Sequence, residues 1–115
     1  MEKKFDLEER TLQFSKDLLF VLKKIPKTSI NIPLINQVIR SGTAIGANYI
    51  EANDSLGTKD FVMRTKIARK EAKETLYWLN LLLNVNEEFM DEINKLLKEC
   101  VELKNILSAI IKNSQ

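Results

Sequence analysis

The 115-residue sequence contains no histidine and one cysteine, Cys100. The missing imidazole removes the commonest metal ligand and general base, and the lone thiol rules out an intrachain disulfide and any multi-cysteine metal site. Neither a Ser-His-acid nor a Cys-His constellation can be assembled. Glycine and proline number three and two, and aromatics make up 7 %, which disfavours a strand-rich fold with many tight turns and favours long helices. Gly42, Gly46 and Gly57 fit neither G-x-G-x-x-G nor G-x-x-x-x-G-K, so no phosphate-cradling loop is encoded. No apolar run of about 18 residues exists to form a membrane helix. The opening Met1-Glu2-Lys3-Lys4-Phe5-Asp6 turns polar before any stretch of signal-peptide length. A cytoplasmic protein is expected. Excess charge is also lacking: 18 basic and 16 acidic residues leave a net +2, too balanced to announce a nucleic-acid or membrane partner through the global field.

What remains is the composition of an ordinary soluble globule, 44 % hydrophobic and 30 % charged, sized for one domain over residues 1–115. Hydrophobic periodicity predicts four helices, at about 6–24, 32–53, 59–84 and 87–112. Asp6 is the expected first N-cap, with Glu9 at capping-box spacing. Leu7, Thr11, Phe14, Leu18, Val21 and Ile25 form the seam, widened by Leu12, Leu19 and Phe20. Lys23 and Lys24 complement the carbonyl end, and Pro26 closes the helix. Asn31 is the expected cap of the second helix, with Pro33 tolerated in its first turn. Ser55-Leu56-Gly57 is the next turn, Thr58 the third cap, and Asn84-Val85-Asn86 the turn and cap before the acidic first turn of the fourth helix. There Phe89, Ile93, Leu96, Cys100, Leu103, Leu107 and Ile110 repeat in steps of four and three, which places Cys100 in the core. Four long helices with short links imply an all-α fold, an up-down-up-down antiparallel four-helix bundle.

The middle helices carry more than one sticky face. At about 100° per residue, Leu34, Val38, Ile45, Tyr49 and Ala52 fall on one side of the second helix, and Arg40, Ala44, Ala47, Asn48 and Glu51 on another. In the third, Phe61, Thr65, Ala68, Ala72, Leu76, Leu79 and Leu83 make a core stripe, while Met63, Ile67, Glu71, Glu74, Trp78 and Leu81 make a second. A charge among small or apolar neighbours is costly unless paired. The second stripes are therefore expected to form a subunit interface in which Arg40 and Asn48 meet Glu51, Glu71 or Glu74 and fix the register. Trp78 is expected to be open to solvent in an isolated bundle and shielded in an assembly. Gly42 and Gly46 each cost up to about 1 kcal/mol in mid-helix, a cost understandable where another backbone approaches closely. Glu71-x-x-Glu74 lacks the imidazole of carboxylate di-metal bundles, so no metal, cofactor or small-molecule substrate is expected.

Charge is uneven locally. Between Lys59 and Lys73 six basic residues face two acidic ones, and from Glu87 to Glu102 the ratio is reversed. Lys59, Lys66, Arg69, Lys70 and Lys73 cluster on the remaining side of the third helix. One reading has adjacent helices of opposite charge attracting weakly, at roughly 0.2 to 1 kcal/mol per exposed pair. The other has the basic strip touching the phosphates of RNA or DNA, its copies acting together in a ring of subunits.

The run Gln37-Val38-Ile39-Arg40-Ser41-Gly42-Thr43-Ala44-Ile45-Gly46-Ala47-Asn48-Tyr49-Ile50-Glu51-Ala52, then Phe61, then Lys66-Ile67-Ala68-Arg69-Lys70-Glu71-Ala72-Lys73-Glu74-Thr75-Leu76-Tyr77-Trp78-Leu79 resembles the bacterial 23S ribosomal RNA intervening-sequence proteins over nearly the whole chain. The resemblance implies an antiparallel four-helix bundle in a homopentameric ring, in a family whose biochemical function is not established. A related accessory protein of diversity-generating retroelements is a basic pentamer that works with a reverse transcriptase and RNA. Ala44 stands where that family commonly has Ser, and Ala52 where Gly often follows the Glu; both keep a small side chain, but any role of a hydroxyl at position 44 is lost. The expectation is a non-enzymatic bundle that self-assembles as an interaction or scaffold module, the alternative being a nucleic-acid-binding accessory factor using the basic strip.

Overall fold

A computed structural model describes residues 2–115, with side chains from Leu7 onward. The helices are α1 (Glu2–Leu22), α2 (Asn31–Asn53), α3 (Thr58–Val85) and α4 (Met90–Ser114), with a 3-10 turn at Glu87–Phe89 before α4. Each helix packs on its sequence neighbours, and α1 closes the four-helix bundle against α4; the most extensive contact is α2 with α3. The particle measures 45 × 23 × 19 Å. None of its helices is long and apolar enough, over the described residues, to cross a membrane.

The helix ends differ from the sequence expectations in instructive ways. α1 is already helical at Glu2, so Asp6 lies within it rather than capping it; its side chain is outside the described ones. At the other end Lys27, beyond Pro26, folds back and donates to the carbonyls of Leu22, Lys23 and Ile25 at 3.3, 3.4 and 2.7 Å. Thr28, not Asn31, caps α2, its Oγ1 accepting from the Asn31 N–H at 3.0 Å. Thr58 is the first residue of α3 and gives no side-chain cap. The helix instead starts from Gly57, whose φ of 146° is a conformation that favours glycine. Asn86 turns its side chain inward instead of capping α4. At α2 and α4 the cause is shared: the expected Asn caps are claimed by a buried pairing across the bundle.

The core stripes hold with small rotations. Leu7, Thr11, Phe14, Leu18, Val21 and Ile25 are all buried, whereas Leu12, Leu19 and Phe20 are exposed. They lie on the face that neither α2 nor α4 covers, with the Lys24 ammonium 4.4 Å from the Phe20 ring centroid. On α3 the buried set is Thr65, Ala68, Ala72, Thr75, Leu79 and Leu82; Phe61, Leu76 and Leu83 are half-buried. A bundle seam returns every 3.5 residues, and the Thr75 hydroxyl, which a hydrophobic count passes over, has a partner in the core. On α4 the seam runs as expected from Ile93 to Leu107, then Ile111 takes the inward place and Phe89 and Ile110 stay half-buried.

The helical glycines mark close contact with α1. A Cβ at Gly42 would collide with Leu18 Cδ2, and one at Gly46 would lie 2.8 Å from Thr11 Oγ1 and 3.6 Å from the Thr11 carbonyl carbon. The Gly-x-x-x-Gly spacing puts both on one face of α2, and their missing side chains let α1 settle against it.

Cys100 is fully buried on the α4 seam, its thiol donating to the Ala72 carbonyl at 3.4 Å. Burial, with Glu99 adding to it, pushes that thiol from an ordinary 9.0 up to about 12. A group whose folded pKa lies above its unfolded value stabilises the fold fully below the unfolded value, and that contribution is lost as pH rises between the two. Native protein is therefore expected to leave a thiol-specific disulfide reagent unreacted at pH 8 and to react with one equivalent only on unfolding; reaction at native conditions contradicts the placement.

Candidate functional site

The candidate surface lies on the outer side of the α2–α3 hairpin, and its geometry begins inside that hairpin. Asn31 and Asn86 exchange two amide hydrogen bonds of 2.9 Å in the core. Each also reaches a backbone carbonyl, Pro26 for Asn31 and Leu82 for Asn86. About three turns along, Thr75 donates to Ser41 Oγ at 2.8 Å, and the Ser41 hydroxyl donates to the Gln37 carbonyl at 3.0 Å. Beside them Arg40 Nη2 donates to Glu74 Oε1 at 2.9 Å, and near the turn Arg64 pairs with Glu51 at 3.8 Å. Positions advance along α2 as they fall back along α3, 31 with 86, 41 with 75 and 51 with 64, as an antiparallel pair requires. Buried polar groups must be partnered, so the enclosed Asn31–Asn86 pair holds one register, and the exposed ion pairs follow it.

That register decides where the expected interface residues lie. Arg40, Glu71 and Glu74 meet, but inside one chain: Arg40 donates to Glu74 and to Gln37 Oε1, and its Nη1 lies 3.5 Å from Glu71 Oε1. The hydrogen bond to Glu74 is the main reason the Arg40 guanidinium is pushed up from its ordinary value. Asn48 joins none of these groups; its Nδ2 donates to the Ala44 carbonyl at 2.8 Å. Ala44 and Asn48 are half-buried, while Ala47 and Glu51 are exposed.

On α3, Met63, Ile67, Glu71, Glu74, Trp78 and Leu81 form a continuous ridge, and Val85 extends it by one more turn. Arg40 of α2 covers its middle. Its ends are open, with Met63 58 %, Leu81 39 % and Val85 48 % exposed. Trp78 does not stand free in the single chain. It is half-buried, packs against the core and stacks edge-on with Tyr77 at 5.0 Å. Within the ridge two enclosed polar atoms have no hydrogen-bond partner, Glu71 Oε1 and Trp78 Nε1. The guanidinium 3.5 Å from Glu71 Oε1 attracts it without completing a hydrogen bond. Val85 was hidden in the sequence by its place in an Asn-Val-Asn turn signal, although it continues the spacing from Leu81.

The basic strip is also partly redrawn. Lys59, Lys66, Lys70 and Lys73 are exposed and make no ion pair among the described residues. Arg69 is half-buried, with Nη1 3.4 Å from Ser108 Oγ. The acidic groups of α4 do not turn to this strip; α1 takes them. Arg10 is bidentate to Glu99 at 2.6 and 2.8 Å and donates to Glu102 at 2.7 Å, while Lys24 pairs with Glu92 at 3.6 Å. The expected attraction between basic α3 and acidic α4 is thus replaced by α1–α4 pairing. The lysines share their ridge with Tyr77, itself exposed.

Against known proteins, the model of the family described as 23S rRNA-intervening sequence protein matches residues 3–109. Among solved structures, the chain is similar to a crystal structure of a protein of unknown function from the S23 ribosomal protein family of Bacteroides thetaiotaomicron VPI-5482. The two are 31 % identical with a TM-score of 0.84, over 92 % of this chain and 98 % of that one. No curated protein matches.

Proposed function

The chain belongs to the 23S rRNA-intervening sequence protein family, and from that premise we propose a cytoplasmic, non-enzymatic module that self-assembles through the outer ridge of α3 and the adjoining face of α2. The observation that carries this reading is the ridge itself, an unbroken helical seam from Met63 to Val85 whose ends are exposed among the described residues. Ala44 and Ala47 beside it are small enough for another helix to approach. Burying a Met, Leu or Val side chain is worth about 1.5–3 kcal/mol, and association costs at least about 4 kcal/mol, so several such residues must be covered together. Trp78 Nε1, enclosed on the ridge with no hydrogen-bond partner among the described residues, favours the same reading, since an unmade buried hydrogen bond costs about 1–3 kcal/mol and a docked copy brings acceptors. A ring needs two different patches meeting head to tail. The α2 face of one copy against the α3 ridge of the next meets that need, and the pentamer implied by the family resemblance is the expected assembly.

Light scattering over a concentration series tests it. The unmodified protein is expected at a multiple of 13.3 kDa, and the M63E/L81E variant at the single-chain mass with unchanged helical circular dichroism. A wild-type chain that stays at the single-chain mass at every concentration overturns the reading.

A second reading rests on a separate observation, the row of exposed lysines that make no ion pair among the described residues and that ends at Tyr77. Lysines that neutralise phosphates beside an aromatic on which a base can stack are the elements of a single-strand platform. The unmodified protein is then expected to bind single-stranded RNA with an affinity that falls as salt rises. The K66A/K70A/K73A variant is expected to flatten that dependence by about 0.7 per lysine lost, with its mass unchanged. Absence of salt-sensitive binding by the wild type at low ionic strength removes this reading.

A further inference from the structure

The α2–α3 turn holds a leucine away from every part of its own chain. Leu56 is 98 % exposed, although the turn around it is well tied. The Ser55 N–H donates to the Ala52 carbonyl at 3.1 Å, the Leu56 N–H to Asp60 Oδ2 at 3.3 Å, and the Phe61 N–H to the Gly57 carbonyl at 2.9 Å. Gly57, in the glycine-favouring conformation, sets the exit. Such a turn has the means to fold its leucine inward and does not.

The same end of the bundle carries a cavity of about 800 Å³, lined by Leu7, Tyr49, Ala52, Phe61, Ile106 and Ile110 among others. Its walls are largely apolar, and burial pushes the Tyr49 phenol up from its ordinary value. Ser55 contributes to the wall, so the tip and the cavity are neighbours on one surface. Their flanks carry opposite charge. Exposed Asp54 precedes the tip, while exposed Lys112 adjoins Asn113 of the cavity wall; Arg10, also in that wall, is already paired with Glu99 and Glu102.

We propose that this end of the bundle docks a second copy of the chain, with Leu56 of each copy seated in the end cavity of the other. A patch that holds both a knob and a hole is self-complementary: a two-fold axis through the end brings each tip over the other's cavity, and each Asp54 toward the other's Lys112. The contact lies at the end of the bundle and not on its flank. It is therefore separate from the α3 ridge and does not depend on it; an assembly built through the ridge would be paired end to end by this second contact.

Two measurements test it on the full chain. Because the Leu56 side chain is almost wholly exposed, L56D leaves the helical circular dichroism unchanged and is expected to halve the mass seen by light scattering; a wild type already at the single-chain mass of 13.3 kDa overturns the proposal. Mixing L56C with I110C chains under a mild thiol oxidant is expected to give a band of twice the chain mass that neither variant gives alone, buried Cys100 taking no part. An unchanged mass for L56D overturns the proposal. So does a dimer band formed as readily by L56C alone, which would place tip against tip. Loss of binding to anionic lipid vesicles in L56D at unchanged mass would assign the leucine to a membrane surface instead and also overturn it.

Discussion

The structure depends on a few polar groups that the core of the α2–α3 hairpin encloses and that only one alignment of the two helices satisfies. Asn31 and Asn86 use donor and acceptor alike on each other at 2.9 Å, and between the same helices the Thr75 hydroxyl donates one bond to Ser41 Oγ at 2.8 Å. Apolar side chains tolerate a slip along a seam because burial has no direction. The amides do not, since any shift leaves them enclosed without each other at about 1–3 kcal/mol per unmade bond, whereas Ser41 and Thr75 keep the Gln37 and Glu71 carbonyls of their own helices. The hydrophobic stripes hold the helices together, and the amide pair says where.

The surfaces follow from that alignment. It sets Arg40 against Glu71 and Glu74, and Glu51 against Arg64, so the charges of the outer face are partnered within the hairpin. What the ridge then offers outward is apolar at both ends. On the opposite side Leu18 and Thr11 of α1 fit against Gly42 and Gly46. Arg10 of the same helix and Lys24 just beyond its end engage Glu92, Glu99 and Glu102 of α4. With those carboxylates occupied, the lysines of α3 are left facing solvent. One register and one small-residue groove therefore distribute the charge and the apolar area over the whole surface.

Much of this was legible in the sequence, because periodicity reports burial directly. The four helices, the buried place of Cys100 and the second stripe of α3 all follow from the spacing of apolar residues. The helix starts were harder. Asn31 and Asn86 have the chemistry of caps, and nothing local distinguishes a cap from an amide that pairs across a span of 55 residues. Leu12, Leu19 and Phe20 were read as core because a wheel shows which residues share a face but not where the neighbouring helices stop. For the candidate interface, Arg40 with Glu71 and Glu74 was recognisable as a group. Whether a charge meets its partner in its own chain or in another is a matter of tertiary alignment, which the pattern does not carry. Leu56 was passed over because a leucine in a turn gives no periodic signal.

The most direct test of the account is a double-mutant cycle on the enclosed amides, with the stability of N31A, N86A and the double variant measured by urea denaturation. If this pair fixes the hairpin, the two substitutions couple by at least about 1 kcal/mol, because the first already strands the partner that the second removes. Additive losses, with no coupling, would contradict it.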